Sequence, residues 1–222
     1  MERHFDEELK NLKQKLLQMA DMTQSMIGLA VKLLTNRNAS DADEIFKKES
    51  QVNRFEVEIE EEVLKLLALR QPAARDLRLL TAMLKIINDV ERIADQAVNI
   101  TEKAIDLMKE PLLKPLIDIP HMAQLAQKMV QDGILAFVNH DPALAKAVCG
   151  HDDEVDHLNE QVFRELLTYM MESPKSITRA VDLILISRNL ERIADHATNI
   201  GEEVIFIEEG KNIKHHLTDL PK

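Results

Sequence analysis

The sequence predicts an all-α fold made of two tandem three-helix bundles that arose by internal duplication. Three observations support this fold class. The 222 residues are 45% apolar but only 3% aromatic, with 5 Gly and 7 Pro, a composition typical of long helices. Turn signals divide the chain into six segments of helical length. The nonapeptide ERIADQAVN, which begins at Glu91, recurs almost unchanged as ERIADHATN from Glu191.

Capping and turn residues set the predicted boundaries of the six helices. Asp141 and Ser173 each precede a proline, which is the arrangement of an N-cap before a proline in the first helical turn. Ser40 is predicted to cap the second helix, and Gly210 is predicted to end the last one. The predicted helices span residues 4–36, 41–70, 74–109, 116–139, 142–172 and 175–209. We interpret Lys214 to His216 as a frayed tail.

The two halves of the chain correspond to each other beyond the nonapeptide. Glu49-x-x-Val52-Asn53 in the second helix matches Asp152-x-x-Val155-Asp156 in the fifth helix, at an offset of 103 residues. The proline-containing segment PLLKPLIDIP separates the halves. We therefore predict one domain over residues 1–110 and a second over residues 111–222.

Charge and cysteine usage restrict the class of protein. The formal net charge of −11 and the pI near 5.2 disfavour nucleic-acid binding, because no extended basic patch offsets them. Cys149 is the only cysteine, which favours a reducing compartment. The charged N-terminal stretch is unlike a secretory signal, and no uncharged stretch reaches the roughly 20 residues of a membrane span. The sequence therefore predicts a cytoplasmic protein.

The repeated nonapeptide carries acidic and amide side chains on one side of its helix. At about 100° per residue, Glu91, Asp95 and Asn99 lie roughly 40° apart, beside the apolar stripe. The second copy contains the matching residues Glu191, Asp195 and Asn199. A duplicated core needs only its apolar spacing, so the retained charges indicate a function.

The preceding helix of each half contributes a matching polar pair, Asp152 with Asp156 and Glu49 with Asn53. If these pairs face the nonapeptide across a groove, their like charges repel each other unless a cation lies among them. Oxygen ligands suit hard cations. The predicted cofactor is a divalent or trivalent metal ion, with magnesium, manganese, iron and zinc all open.

Two further expectations concern these sites. Because Asn53 is neutral, the second-half site is expected to bind metal more tightly. His196 could add a nitrogen ligand to that site, but its helical position predicts that it faces water. The alternative to a metal site is a pair of solvated acidic faces that pair with Arg92 and Arg192.

Three motifs carry a family resemblance that covers nearly the whole chain: RQPAARDLR after the second helix, LLTYMMES after the fifth, and the paired ERIAD…N stretches. With these motifs the sequence resembles the PhoU family of bacterial phosphate-transport and phosphate-signalling regulators. The resemblance implies tandem three-helix bundles whose acidic motifs bind multinuclear metal clusters in some members. Those motifs fall on Glu91/Asp95, Glu191/Asp195, Asp152/Asp156 and Glu49/Asn53, the last of which lacks its second carboxylate.

The resemblance also implies a function, that of a regulatory adaptor without catalytic activity. Such a protein would bind the ATPase of a phosphate ABC transporter and a sensor histidine kinase. It would control transcription indirectly, by repressing phosphate-starvation genes when phosphate is plentiful. It would form a homo-oligomer, expected to be a dimer, and would reach the membrane only through its partners. The sequence contains no glycine-rich phosphate loop or nucleophile triad.

Two other functions stay open at the level of sequence. His151-x-x-Glu154 and Glu154-x-x-His157 resemble the E-x-x-H motif of di-iron carboxylate proteins, which would make the protein a redox enzyme. That chemistry needs a second motif on another helix, and Gln51 and Arg54 occupy the equivalent positions in the first half. The remaining alternative is a metal-buffering protein.

Overall fold

The computed structural model describes residues 2–213, which fold as α-helices joined by short turns and, over residues 108–117, by an irregular segment. The helices are α1 (Glu2–Asn36), α2 (Ala42–Arg70), α3 (Ala74–Leu107), α4 (Asp118–Asn139), α5 (Pro142–Gly150), α6 (Asp152–Glu172) and α7 (Ile177–Glu209). Short 3₁₀ turns at Ala39–Asp41 and Pro174–Ser176 precede α2 and α7. The stretch Lys214 to His216 lies outside the described residues.

The helices form two bundles that share one core. The first bundle consists of α1, α2 and α3, and the second consists of α4, the α5–α6 pair and α7. The predicted fold class is therefore confirmed. The two helices that carry the nonapeptides, α3 and α7, pack against each other more extensively than any other pair, and α1 also contacts α4. The domain boundaries at residues 1–110 and 111–222 stay a prediction.

Matched residues of the two halves occupy matched places in this core. Val52 on α2 and Val155 on α6 are fully buried. Ile93 and Ile193, which follow the Glu-Arg of each nonapeptide, are also fully buried. The acidic residues beside them therefore have the same orientation relative to the core in both bundles.

Two of the predicted caps are present and two are not. The Asp141 side chain accepts hydrogen bonds from the backbone N–H groups of the first turn of α5, at 2.9 and 3.0 Å. Gly210 ends α7 with a left-handed backbone, at a φ of 69°. Ser40 is not the cap of α2, because Asn38 caps the preceding 3₁₀ turn instead. Ser173 makes no side-chain capping bond, and its proline opens a 3₁₀ turn rather than α7 itself.

The predicted fifth helix is interrupted at His151, so it forms the two helices α5 and α6. The His151 N–H donates to the Val148 carbonyl and the Glu154 N–H donates to the His151 carbonyl, both with the shorter 3₁₀ spacing. Gly150 explains the weak point, since glycine costs about 1 kcal/mol in a helix interior relative to alanine. Three consecutive acids, Asp152 to Glu154, then favour a new helix N-terminus. The break places Asp152 in the first turn of α6.

The contact between α5 and α7 requires a glycine. A Cβ atom at Gly201 would lie 2.9 Å from the Ala145 carbonyl oxygen and 3.1 Å from Cys149 Sγ. The buried Cys149 thiol donates a long hydrogen bond, 3.7 Å, to the Thr198 carbonyl oxygen. Burial raises the pKa of Cys149 to about 12, so the thiol is protonated at neutral pH.

Charged side chains near the ends of α7 and α3 link the two halves. Arg75 Nη2 donates to both carboxylate oxygens of Glu208, at 2.8 and 2.7 Å. Within the second bundle, His140 Nδ1 lies 2.7 Å from the same carboxylate. Lys85 Nζ contacts both oxygens of the buried Glu203 carboxylate, at 3.0 and 3.1 Å. The contacts of Arg75 and Lys85 thus cross from the first bundle to the second.

Candidate functional site

The groove between α6 and α7 gathers four carboxylates, which we call the second acidic cluster: Asp152, Asp156, Glu191 and Asp195. Burial, followed by the charges of Asp195 and Asp156, raises the pKa of Asp152 to about 6. Burial also raises the pKa values of Glu191 and Asp195, and the charge of Asp156 adds to both increases. Asp156 on α6 and Glu191 on α7 line the same cavity, so the two helices bring acids of this cluster to one groove.

The groove between α2 and α3 holds the equivalent first acidic cluster: Glu49, Asn53, Glu91 and Asp95. Burial raises the pKa of Glu91, and the charges of Asp95 and Glu56 add to the increase. The pKa of Asp95 is raised by burial and by Glu49, against the opposing charge of Arg92. Asn53 Nδ2 donates to Glu49 Oε1 at 2.6 Å, so the neutral member of the cluster partly offsets its charge.

Three oxygen atoms of the clusters are buried and accept no hydrogen bond from the described part of the chain: Asn53 Oδ1, Glu91 Oε2 and Asp152 Oδ1. The nearby Thr198 hydroxyl nevertheless favours the ionised form of Asp152. Glu91 Oε2 forms an ion pair with Arg92 Nε, at 3.5 Å. Buried oxygen atoms normally accept hydrogen bonds, so unpartnered ones are costly unless another positive group approaches them. Oxygen atoms of this kind suit a hard cation.

The clusters are not assembled into a coordination sphere. Among the side chains of residues 5–213, no group of three His, Cys, Asp or Glu converges closely enough to hold a metal ion. The donor set and the unpartnered oxygens fit a cation, but side chains on the facing helices would have to move toward it. Binding would then order the groove as well as neutralise it.

Arginines accompany both clusters, as the alternative of solvated acidic faces predicts. Arg92 lies 3.5 Å from Glu91 and 3.5 Å from Asp95. In the second cluster the charges of Arg188 and Arg192 lower the pKa of Glu191, against the larger effect of burial. Asn88 occupies the position equivalent to Arg188 in the first half. The second cluster therefore has one more carboxylate than the first, Asp156, but also one more arginine, Arg188. The expectation of tighter metal binding in the second half considered only the carboxylate.

The asparagines of the nonapeptides lie one helical turn beyond Asp95 and Asp195. Asn99 is exposed. Asn199 Nδ2 donates to Asp89 Oδ1 on α3, at 3.2 Å. His196 Nδ1 lies 2.9 Å from the same oxygen, with 22% of its side chain exposed. The prediction that His196 faces water is therefore wrong, because the packing of α7 on α3 places Asp89 opposite it.

Two acids of this region were missed by the sequence analysis. Glu56 lies seven residues after Glu49, two helical turns along the same face of α2, and that spacing could have identified it. Asp89 could not have been found in this way, since its partners belong to the other bundle. Its equivalent in the second half is Asn189, so the duplication carries no signal for it.

The histidines of the di-iron alternative do not lie in the clusters. His151 Nδ1 is 3.7 Å from Glu154, and both side chains are more than half exposed. His157 is exposed and its Nδ1 contacts the Asp153 carbonyl of its own helix. The di-iron alternative needs a pair of E-x-x-H motifs that face the bundle interior, and the exposed positions of His151 and His157 do not match that requirement.

No helix in the described part of the chain has the length and apolar character needed to cross a membrane.

Fold and site together define a class: an all-α protein in which two duplicated bundles each carry an acidic groove. The PhoU domain family model matches residues 16–104 and again residues 119–204. The chain belongs to the PhoU family.

Relatives of this chain are similar to it both in sequence and in structure. The phosphate-specific transport system accessory protein PhoU homolog of Aquifex aeolicus is 41% identical, over 94% of both chains. The homolog of Pseudomonas aeruginosa is 38% identical over 95% of this chain and 88% of its own length. The crystal structure of PhoU from Pseudomonas aeruginosa superposes with a TM-score of 0.91 over 93% of this chain. The phosphate transport system regulatory protein PhoU from Streptococcus pneumoniae gives a TM-score of 0.85 at 25% identity over 94% of this chain.

Proposed function

We propose that this protein is a regulatory adaptor of a phosphate transport system. The observation that carries the proposal is the PhoU domain match in both halves of the chain, together with relatives that are named accessory proteins of the phosphate-specific transport system. The adaptor modulates the phosphate ABC transporter and exerts negative control over phosphate-starvation signalling. Its effect on transcription is indirect.

The proposed partners are proteins at the cytoplasmic face of the membrane: the ATPase of the transporter and a sensor histidine kinase. A net charge of −11 favours basic protein surfaces over nucleic acid. The protein reaches the membrane through these partners. No step of this role requires catalysis by the adaptor, because regulation can follow from binding that favours one state of the partner.

The acidic clusters are proposed to bind metal ions as part of this role. Burial, with the charges of neighbouring carboxylates, raises the pKa values of Asp152, Glu191 and Glu91, so a cation among these groups would favour their ionised forms. Magnesium, manganese, iron or zinc would supply that charge. Glu49, Asn53, Glu91 and Asp95 would hold the ion of the first bundle, and Asp152, Asp156, Glu191 and Asp195 that of the second. Asn99 and Asn199 stay candidate ligands at the edges.

A reporter assay tests the adaptor role. Expression of this chain in a bacterium that lacks its own PhoU protein should restore repression of a phosphate-starvation reporter in phosphate-rich medium. A folded, well-expressed protein that leaves the reporter fully active would contradict the proposal. Oxidase activity with added iron would instead favour the redox alternative, and metal binding without any effect on the reporter would favour a metal buffer.

A further inference from the structure

Beside the second acidic cluster, the groove between α6 and α7 opens into a cavity of about 420 Å³. A volume of this size is within the range of small-molecule sites in proteins. The lining combines two residues of the cluster with four others: Asp156 and Glu191, then Asn159, Glu160, Phe163 and Arg188. The cavity therefore adjoins the candidate cation site and has room for a small ligand.

Arg188 supplies the positive charge of this lining. Its side chain is exposed and forms no ion pair within the described residues, although three carboxylates line the same cavity. One of them, Glu160, pairs instead with Arg164, one turn along α6. A guanidinium group presents parallel N–H donors that match the oxygens of a carboxylate or a phosphate. Arg188 is thus available to bind an oxyanion.

Asn159 offers a second donor, on the helix that faces Arg188. The buried Ser187 Oγ on α7 donates to Asn159 Oδ1 at 2.9 Å, which holds the amide in one orientation. The Nδ2 group of Asn159 donates to no other side chain or carbonyl of the described residues. It can therefore donate to a ligand in the cavity.

The first bundle lacks both donors at the equivalent positions. At an offset of 100 residues Arg188 corresponds to Asn88, and at an offset of 103 residues Asn159 and Phe163 correspond to Glu56 and Glu60. Asn88 Nδ2 also donates to Glu56 Oε1, at 3.5 Å. Two carboxylates in place of an amide and an aromatic ring would repel an anion. A site for an anion is therefore expected in the second bundle alone.

The second cluster itself offers an incomplete set of metal ligands. No three His, Cys, Asp or Glu side chains among residues 5–213 converge on one point. Asp152 Oδ1 and Thr198 Oγ1 are buried without a hydrogen-bond partner in the described part of the chain, and only 7% of Thr198 is exposed. A hard cation such as Mg²⁺ commonly binds one or two protein carboxylates and completes its shell with water and phosphate oxygens. A free oxyanion in the adjoining cavity would supply such oxygens.

We propose that the cavity binds a small tetrahedral oxyanion, such as inorganic phosphate, between Arg188 and a cation held by the second acidic cluster. The cation neutralises carboxylates that would otherwise repel the anion, while Arg188 and Asn159 donate hydrogen bonds to it. Anion binding therefore requires the cation, and the anion strengthens cation binding by the same factor. The inference rests on the proposed cation binding, and it gives the proposed adaptor a direct response to the anion.

Thermal unfolding of the full chain, with inorganic phosphate as the probe, tests the proposal. Protein purified without metal would be scanned in EDTA and with whichever of Mg²⁺ and Mn²⁺ stabilises it more, each without and with phosphate. Phosphate at roughly ten times its Kd should raise the melting temperature of the metal-loaded wild type by about 3–6 °C. Any rise in EDTA measures the general stabilisation of proteins by phosphate salts and is subtracted.

Two arginine variants separate the cavity from the overall charge of the cluster. Burial raises the pKa of Glu191, and Arg188 and Arg192 both oppose that increase, but Arg192 does not line the cavity. Arg188→Asn should lose the phosphate-dependent rise and keep a metal-dependent rise at least as large as that of the wild type. Arg192→Asn removes the same charge and should retain both rises. Unchanged helical circular dichroism would show that both variants fold.

Isothermal titration calorimetry of the metal-loaded protein provides a second readout, with one phosphate expected per chain. Two phosphates per chain, or a phosphate-dependent rise that survives in Arg188→Asn or is lost equally in Arg192→Asn, would overturn the proposal. A metal-dependent rise in the wild type with no phosphate-dependent rise would overturn it too, but would leave the cation proposal standing. A wild type without any metal-dependent rise would overturn both, and the reporter assay decides the adaptor role separately.

Discussion

Asp152 shows how the position of a single carboxyl group determines its contribution to stability. It lies in the first turn of α6, where the helix N-terminus favours a negative charge. Burial and the nearby Asp195 and Asp156 outweigh that benefit and raise its pKa to about 6, from an ordinary value of 3.8. The folded protein therefore binds this proton more tightly than the unfolded chain does.

This pKa shift predicts a pH-dependent effect of Asp152→Asn in the presence of EDTA. Because folding raises the pKa of Asp152, the folded state loses stability as the pH rises from about 4 to about 6. At pH 7 the carboxylate is ionised in both states, so the folded state carries the full cost of the buried charge. Removing the charge should raise the free energy of unfolding by about 1–2 kcal/mol at pH 7. The gain should vanish near pH 4. Urea denaturation at both pH values measures this difference in the free energy of unfolding. An Asp152→Asn variant that is less stable than the wild type at pH 7 would contradict burial and charge repulsion as the cause of the raised pKa.

Sequence spacing was sufficient to identify most of the clustered acids, but not their surroundings. Glu91 and Asp95 lie one helical turn apart, so their shared face follows from local geometry alone. Asp89 contacts His196 and Asn199 of the other bundle, from a position that the duplication does not match, since its equivalent is Asn189. Such contacts depend on how one bundle docks on the other, which no local periodicity records.

At the scale of elements, caps and prolines predicted the helices closely, and the departures have local causes. The interruption at His151 follows Gly150, a residue that the sequence analysis placed inside one long helix. Gly201 has the opposite role, because α5 approaches α7 so closely there that a side chain would meet the Ala145 carbonyl. The same residue type thus weakens one helix and permits the packing of another.

These two glycines predict opposite effects of the same substitution. Gly201→Ala should lower the free energy of unfolding by about 1–3 kcal/mol, since the added methyl group would overlap a backbone carbonyl that cannot easily move. Gly150→Ala meets nothing within 4 Å, so it should raise stability by about 0.5–1 kcal/mol through helix propensity. Chemical denaturation of both variants measures the difference. Equal effects would show that propensity alone controls these positions.

The whole molecule is organised around the pairing of α3 with α7, the two helices that carry the repeated nonapeptides. Their packing joins the bundles into one core, and the contact of Lys85 with Glu203 and of Arg75 with Glu208 adds charged links across it. The sequence predicted two similar bundles from their repeated stripes. It did not predict how they dock, because Lys85 and Asp89 have no counterparts of the same type in the other half.

The central claim is that the charged residues of the two nonapeptides were retained because both acidic clusters bind cations. The cluster residues lie beside the core, so the protein should fold without metal. A cation that binds only the folded state should raise the melting temperature, by ~5–10 °C at concentrations far above its Kd. Asp195→Asn should reduce that shift, whereas Asp43→Asn, an exposed carboxylate outside both clusters, should leave it unchanged.

Scanning calorimetry of protein purified without metal provides the most direct measurement. The wild type, Asp195→Asn and Asp43→Asn would each be scanned with EDTA and with added Mn²⁺ or Mg²⁺. We predict a metal-dependent rise in the wild type and in Asp43→Asn, and a smaller rise in Asp195→Asn. We also predict that Asp195→Asn melts at the same or a higher temperature in EDTA, because one repelling charge is gone. A wild-type thermogram that does not change when either metal is added would contradict the claim.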